Sequence, residues 1–118
     1  MTARACLLLS AAVLVTAWGI VPRAQDQVRE CEVTAGDFAF TPARLEVRQN
    51  DIVKVTFRAI DIPHSFTIDD YRIAKRAGVG QTIVFEFRAD HAGTFPIYCS
   101  LTADTRCRRM KGELVVKP

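Results

Sequence analysis

The stretch from 99 to 112, CSLTADTRCRRMKG, carries two thiols and a thioether within twelve residues, at Cys99, Cys107 and Met110. It follows an apolar segment, FPIY, and runs into another, ELVV. Soft sulfur donors on a short loop between two strands are the donor set of a copper site, since thiolate and thioether select the softer ion. The chain has two histidines. His64, in DIPHSFTID, stands where a loop becomes a strand, with Pro63 fixing the backbone before it and Phe66 anchoring it behind. His91, in the turn ADHAGTF, is expected to be solvated. His64, Cys99, Cys107 and Met110 are therefore the candidate metal ligands. The same cysteines also permit a Cys99–Cys107 disulfide, because eight residues of loop can bring two α-carbons within bridging distance. Copper site, disulfide and unliganded loop all remain open from these residues alone.

For the four side chains to meet, a rigid framework has to bring His64 to the distant loop. VKVTFR (53–58) and IVFEFR (83–88) alternate apolar and polar residues with the period of a half-buried strand. Further strands are expected at Cys31–Val33, Arg44–Val47, Ser65–Ile68, Thr94–Cys99 and Gly112–Val116. Turn signals separate them at Thr41-Pro42, Gln49-Asn50-Asp51, Ile62-Pro63, Gly78-Val79-Gly80 and His91-Ala92-Gly93. Seven short strands at this spacing predict an all-β protein, an antiparallel sandwich. Its core is expected to draw on Phe38, Phe40, Val55, Phe57, Phe66, Phe85, Phe87, Phe95 and Val115. Residues 69–79, DDYRIAKRAGV, read mainly as a loop with room for one helical turn.

The whole chain has 118 residues, the length of one domain. Arg4 precedes an apolar run of 17 residues, Ala5 to Val21, broken only by Ser10, Thr16 and Gly19. A basic start, an apolar middle and small residues at the end form a secretory leader pattern, so residues 1–24 are expected to be a signal peptide. Ala24 has Pro22 two residues before it, a poor cleavage context, whereas Val15-Thr16-Ala17 obeys the small-residue rule with a shorter apolar run. Left uncleaved, the run would be a membrane anchor at the short end of spanning length. The remaining domain, 25–118, belongs on this reading in the periplasm or outside the cell, with no membrane association once the leader is removed.

Without Arg4 and Arg23 that domain holds 14 basic and 13 acidic side chains, which is no basis for binding nucleic acid. Arg106, Arg108, Arg109 and Lys111 do cluster on the sulfur loop, either as a solvated face or as a docking patch for an acidic redox or copper-handling protein. An odd set of three cysteines remains there, so either use of Cys99 and Cys107 leaves Cys31 a free thiol. The strand from Cys31 toward Asp37 spans roughly 20 Å, which keeps Cys31 away from the loop. No catalytic pair stands outside the candidate ligands, so a non-enzymatic role is expected.

Three segments, DFAFTPARLEVRQNDIVKVTFRAIDIPHSF, GTFPIYCS and MKGELVV, resemble the cupredoxin family across residues 31–118. The likeness is strongest to the copper domain of cytochrome c oxidase subunit II and nitrous oxide reductase. It implies a Greek-key sandwich. In that domain the loop runs Cys, three residues, Cys, three residues, His, two residues, Met. Here those four positions are Cys99, Ala103, Cys107 and Met110, and the family's upstream His matches His64. Ala103 removes the second bridging thiolate of a binuclear centre. Cys107 removes the second imidazole that a blue-copper site needs. The resemblance thus implies one copper ion, with Cu(I) favoured by two thiolates, a thioether and one imidazole, serving electron transfer or Cu(I) carriage. The other reading is a metal-free binding or structural module closed by a Cys99–Cys107 disulfide.

Overall fold

The computed structural model describes residues 6–9 and 27–118. Two five-stranded sheets face each other. The first contains β1 (Leu7–Leu9), β2 (Val28–Gly36), β3 (Ala39–Thr41), β5 (Ile52–Ala59) and β8 (Thr82–Arg88). The second runs β4 (Arg44–Arg48), β10 (Lys111–Lys117), β9 (Gly93–Tyr98), β6 (His64–Ile68) and β7 (Ile73–Ala77). A 3-10 turn at Asp69–Tyr71 and one short helix, α1 (Thr105–Arg108), complete the set. All seven expected strands are present, and the protein is the expected Greek-key β-sandwich. Two pairings are parallel within it, β2 with β5 and β4 with β10. After β2 the chain crosses to the second sheet as β4, and β5 therefore re-enters the first sheet at the end where β2 began, with Ile52 opposite Val28.

Period-two patterning does the burying. Val53, Val55, Phe57 and Ala59 of β5 have no exposed surface, while Lys54, Thr56 and Arg58 turn outward to different degrees. Phe57 and Phe66 bridge the two sheets with ring centroids 5.7 Å apart, and Phe40 and Phe85 extend the stack at 6.3 and 5.5 Å from Phe66. Phe87 and Phe95 flank Tyr71 at 5.3 and 5.2 Å and close the end remote from the sulfur loop.

Phe85, Phe87 and Phe95 are half-buried against the core rather than within it, and two more of the expected core residues lie elsewhere. Phe38 is 45% exposed, because Asp37 and Phe38 form a two-residue turn with φ of 56° and 64° that swings the ring off the sheet. Val115 is half-buried, because Leu114 and Val116 point inward and a strand cannot bury both parities on one face. Residues 69–79 hold not only the anticipated turn but also β7, a five-residue strand paired with β6 from Ile73↔Ile68 to Ala77↔His64.

Cys31 is not a free thiol in the 118-residue chain: it is bonded to Cys6, with α-carbons 4.2 Å apart, joining β1 to β2. The expectation of an odd cysteine count assumed removal of residues 1–24 and so of Cys6. Most of that segment lies outside the described residues. Among those that are described, no helix is long and apolar enough to cross a membrane.

Candidate metal centre

The site is built where β6 begins and β9 ends. His64 is the first residue of β6 and Cys99 directly follows Tyr98, the last of β9. Ser65 and Ser100 tie the two together: Ser100 N–H donates to Ser65 Oγ at 2.7 Å, and Ser65 N–H donates to Cys99 Sγ at 3.2 Å. The hydroxyls of Ser65, Thr67 and Ser100 share hydrogen bonds of 2.9–3.0 Å, which satisfies the buried outer face of β6. Cys107 is placed by α1. Asp104 caps that helix by accepting from Arg106 N–H at 2.8 Å, and Cys107 N–H reaches Asp104 O at 3.2 Å. One more turn, Met110 N–H to Cys107 O at 3.1 Å, brings the chain to Met110 and into β10.

Entry into β10 requires a glycine. A Cβ on Gly112 would stand 2.6 Å from the carbonyl oxygen of Ala43, the same oxygen that accepts the Glu113 N–H at 2.8 Å.

His64 and Cys107 have no exposed surface, Met110 has 1% and Cys99 5%. One ring nitrogen of His64 and the sulfurs of Cys99 and Cys107 all lie within 4.8 Å of one another. His64 Nδ1 is 3.8 Å from Cys99 Sγ. Cys99 and Cys107 are joined as a disulfide, with α-carbons 5.2 Å apart. Three of the four residues singled out by sequence thus form one buried cluster, and Met110 is buried one turn beyond it. His91 lies elsewhere, its side chain 67% exposed, as expected.

The other ring nitrogen of His64 faces a residue that sequence reasoning did not single out. Asp61 Oδ1 is 2.6 Å from His64 Nε2 and also accepts the Ile62 N–H at 2.7 Å. Asp61 Oδ2 accepts the Asp37 N–H from the β2–β3 turn at 2.9 Å. Burial alone would push this carboxyl up. The hydrogen bonds from Asp37, His64 and Ile62 outweigh burial and hold it at about 2, so Asp61 is ionised at neutral pH.

The arginines beside Cys107 are directed to other partners. Arg106 forms a two-pronged pair with Asp104 at 2.9 and 3.1 Å, Arg108 donates to Thr102 O at 2.8 Å, and Arg109 lies over the Phe38 ring at 5.9 Å. The Arg106 hydrogen bond lowers the Asp104 carboxyl. A cleft of about 510 Å³ lined by Ile62, Pro63, Leu101, Ala103 and Cys107 opens beside the cluster.

The donors fit copper in the chemical sense tested by their type. They are two sulfurs and one imidazole nitrogen, buried, converging, and without a hard carboxylate oxygen among them. They can act together only as thiolates, after the disulfide is reduced.

Solved structures of copper proteins share this architecture. The metal-binding domain of the Streptococcus pneumoniae D39 Cu(I)-exporting P-type ATPase, solved with Cu(I), is 16% identical with a TM-score of 0.64, the match covering 77% of this chain and 87% of that one. Auracyanin A, a blue copper protein from Chloroflexus aurantiacus, is 18% identical with a TM-score of 0.63, over 76% of this chain and 99% of its own. A mixed disulfide intermediate between a thioredoxin-like protein and subunit II of cytochrome c oxidase matches with 17% identity and a TM-score of 0.62, over 86% of this chain and 87% of that one. At these identities the likeness concerns the fold. Residues 9–116 match the sequence profile of the cupredoxin-like domain, and the chain belongs to that family.

Proposed function

We propose that this protein is an exported cupredoxin-like carrier that holds one Cu(I) ion as cargo, and that it is not an enzyme. The observation that supports the reading best is the buried convergence of His64, Cys99 and Cys107 within 4.8 Å. Met110 follows Cys107 at the spacing of the copper-domain loop and is itself buried, so it is the proposed thioether ligand. Two thiolates and a single imidazole favour the softer Cu(I) over a cycling Cu(II) centre. Delivery is therefore preferred to electron transfer.

The Cys99–Cys107 disulfide defines the state that cannot take the cargo. A dithiol-bearing protein would convert it to the copper-binding form. A thioredoxin-like protein forms a mixed disulfide with oxidase subunit II in one of the similar solved structures, which supports a partner of that type. The leader pattern of residues 1–24 places the mature domain, 25–118, in the periplasm or outside the cell, where such a disulfide forms readily. The same bond also supports a second reading, a metal-free module closed by Cys99–Cys107.

Competition with a chromophoric Cu(I) chelator, on the reduced and the oxidised protein, separates the two. The carrier reading expects one Cu(I) bound by the dithiol form and none by the disulfide form. Cys107→His restores two imidazoles, one thiolate and Met110, the blue-copper donor set. That variant should turn strongly blue with Cu(II), and the parent should not. A parent that gives a stable, intensely coloured Cu(II) form cycling reversibly would replace delivery by electron transfer. Absence of Cu(I) binding by the reduced parent would leave the disulfide module.

A further inference from the structure

We infer that Asp61 is the positioning residue of this centre: its carboxylate holds the His64 ring in the tautomer that turns the Nδ1 lone pair toward Cys99. The argument starts from what a carboxylate can do. It accepts hydrogen bonds and donates none. Oδ1 lies 2.6 Å from Nε2, so the proton of a neutral His64 ring belongs on Nε2. The opposite tautomer would set a nitrogen lone pair against a carboxylate oxygen at the same distance. With the proton on Nε2, the free lone pair is at Nδ1, which is the nitrogen 3.8 Å from Cys99 Sγ.

The carboxylate is itself held in place. The Ile62 N–H fixes Oδ1 at 2.7 Å, and the Asp37 N–H fixes Oδ2 at 2.9 Å. The second contact comes from the β2–β3 turn, where two consecutive left-handed residues place that amide opposite the loop before β6. Asp61 thus has one oxygen assigned to the imidazole and the other to a neighbouring hairpin. Among the described residues the fully buried ring has two polar partners, Asp61 Oδ1 at 2.6 Å and Cys99 Sγ at 3.8 Å, and the shorter, charged contact is the one that sets its orientation.

The use of Nδ1 as a ligand rests on the copper reading; the tautomer does not. The test is made on the nitrogen-15-labelled 118-residue chain, reduced and copper-free, above the ordinary imidazole titration range. Long-range proton–nitrogen NMR reports which His64 nitrogen bears the proton. The wild type should show Nε2–H. Asp61→Ala should lose that preference, and its Cu(I) affinity by chelator competition should fall about 10–100-fold. Asp61→Asn keeps an oxygen for Nε2–H while losing the acceptor for the Asp37 amide. It should retain the wild-type tautomer and bind Cu(I) within about threefold of the parent, by the same reasoning. A wild-type spectrum showing Nδ1–H overturns the inference whether or not any variant folds, and so does an unchanged tautomer in Asp61→Ala. If the tautomer shifts as expected but the wild type binds no Cu(I), the positioning role is supported and only the copper reading falls.

Discussion

Reducing the Cys99–Cys107 bond should destabilise the copper-free domain, and Cu(I) should restore what reduction removed. The sequence separation is 8. The chain-entropy relation gives about 2.5 kcal/mol for closing a loop of that length. A domain of this size shifts its melting temperature by about 4–8 °C per kcal/mol, so reduction should lower it by about 10–20 °C. Cu(I) buffered a hundredfold above its dissociation constant contributes about 2.7 kcal/mol to the form that binds it, nearly the same amount. Three samples are compared by calorimetry: oxidised, reduced and copper-free, and reduced with buffered Cu(I) under anaerobic conditions. Because reductant also opens Cys6–Cys31 in the 118-residue chain, the series is run in Cys6→Ser, which, like removal of the expected leader, leaves Cys31 a thiol throughout. The expected order is oxidised close to Cu(I)-loaded, with the reduced copper-free form well below both. A reduced protein that melts at the same temperature with and without Cu(I) would refute the reasoning. Cys107→Ser supplies the control, since it forms no loop disulfide and should gain little from Cu(I).

Three further outcomes follow from the packing. Phe66→Ala removes the ring that contacts Phe40, Phe57 and Phe85 at once, and should cost about 3–5 kcal/mol in denaturant unfolding. Gly112→Ala forces a Cβ against a backbone oxygen that cannot rotate away, and should cost about 1–3 kcal/mol, with the loss read as a lower denaturation midpoint. The Asp61 carboxyl is held at about 2, below its unfolded value of 3.8, so its contribution is complete above that unfolded value and lost as pH falls toward 2. Wild type should therefore exceed Asp61→Asn by on the order of 1–2 kcal/mol at pH 6, and the difference should vanish near pH 2.

What the sequence made legible was what alternates. The runs VKVTFR and IVFEFR disclosed β5 and β8 because each buries one parity against the aromatic stack. IAKRA, the strand β7, has no such pattern: only Ile73 and Ala77 are buried, and the three residues between them are exposed. The segment DFAF misled for a related reason. Spacing alone puts Phe38 and Phe40 on one face, but Phe38 lies in the reversal itself, and only the left-handed turn at Asp37 and Phe38 reveals it. In ELVV three consecutive apolar residues leave the parity undefined, and pairing with β9, Leu114 opposite Phe95, decides it. Cys99, Cys107 and Met110 stood out by their spacing on one loop and His64 by the family resemblance, and the structure brings His64, Cys99 and Cys107 together. Asp61 did not stand out, because a carboxylate three residues before a histidine reads as a polar turn until Nε2 is seen facing it. The arginines cluster on the sulfur loop in sequence, and only the structure shows that Asp104, Thr102 and Phe38 take their side chains.

Cysteine at position 107 changes more than affinity. An imidazole in its place would leave Cys99 as the only thiol of the cluster, and no disulfide could close within the site. With Cys107 present, the two groups proposed to bind Cu(I) are also the two that form the bond excluding it. Opening that bond takes two electrons from a dithiol and returns two thiols; closing it gives two electrons to an acceptor and forfeits the cargo site. On the proposed reading, copper affinity is tied to the thiol–disulfide balance of the compartment rather than to the redox state of the metal. The Ser65 N–H, aimed at Cys99 Sγ at 3.2 Å in the disulfide form, is placed to meet the charge of that sulfur once it becomes a thiolate, and it is a backbone donor that side-chain replacement does not remove. Replacing Arg106, Arg108 or Arg109 should for that reason change Cu(I) affinity far less than replacing Asp61, which chelator competition on the reduced protein measures directly. A loss in the arginine variants as large as that in Asp61→Ala would return the charge of the loop to the centre of the mechanism.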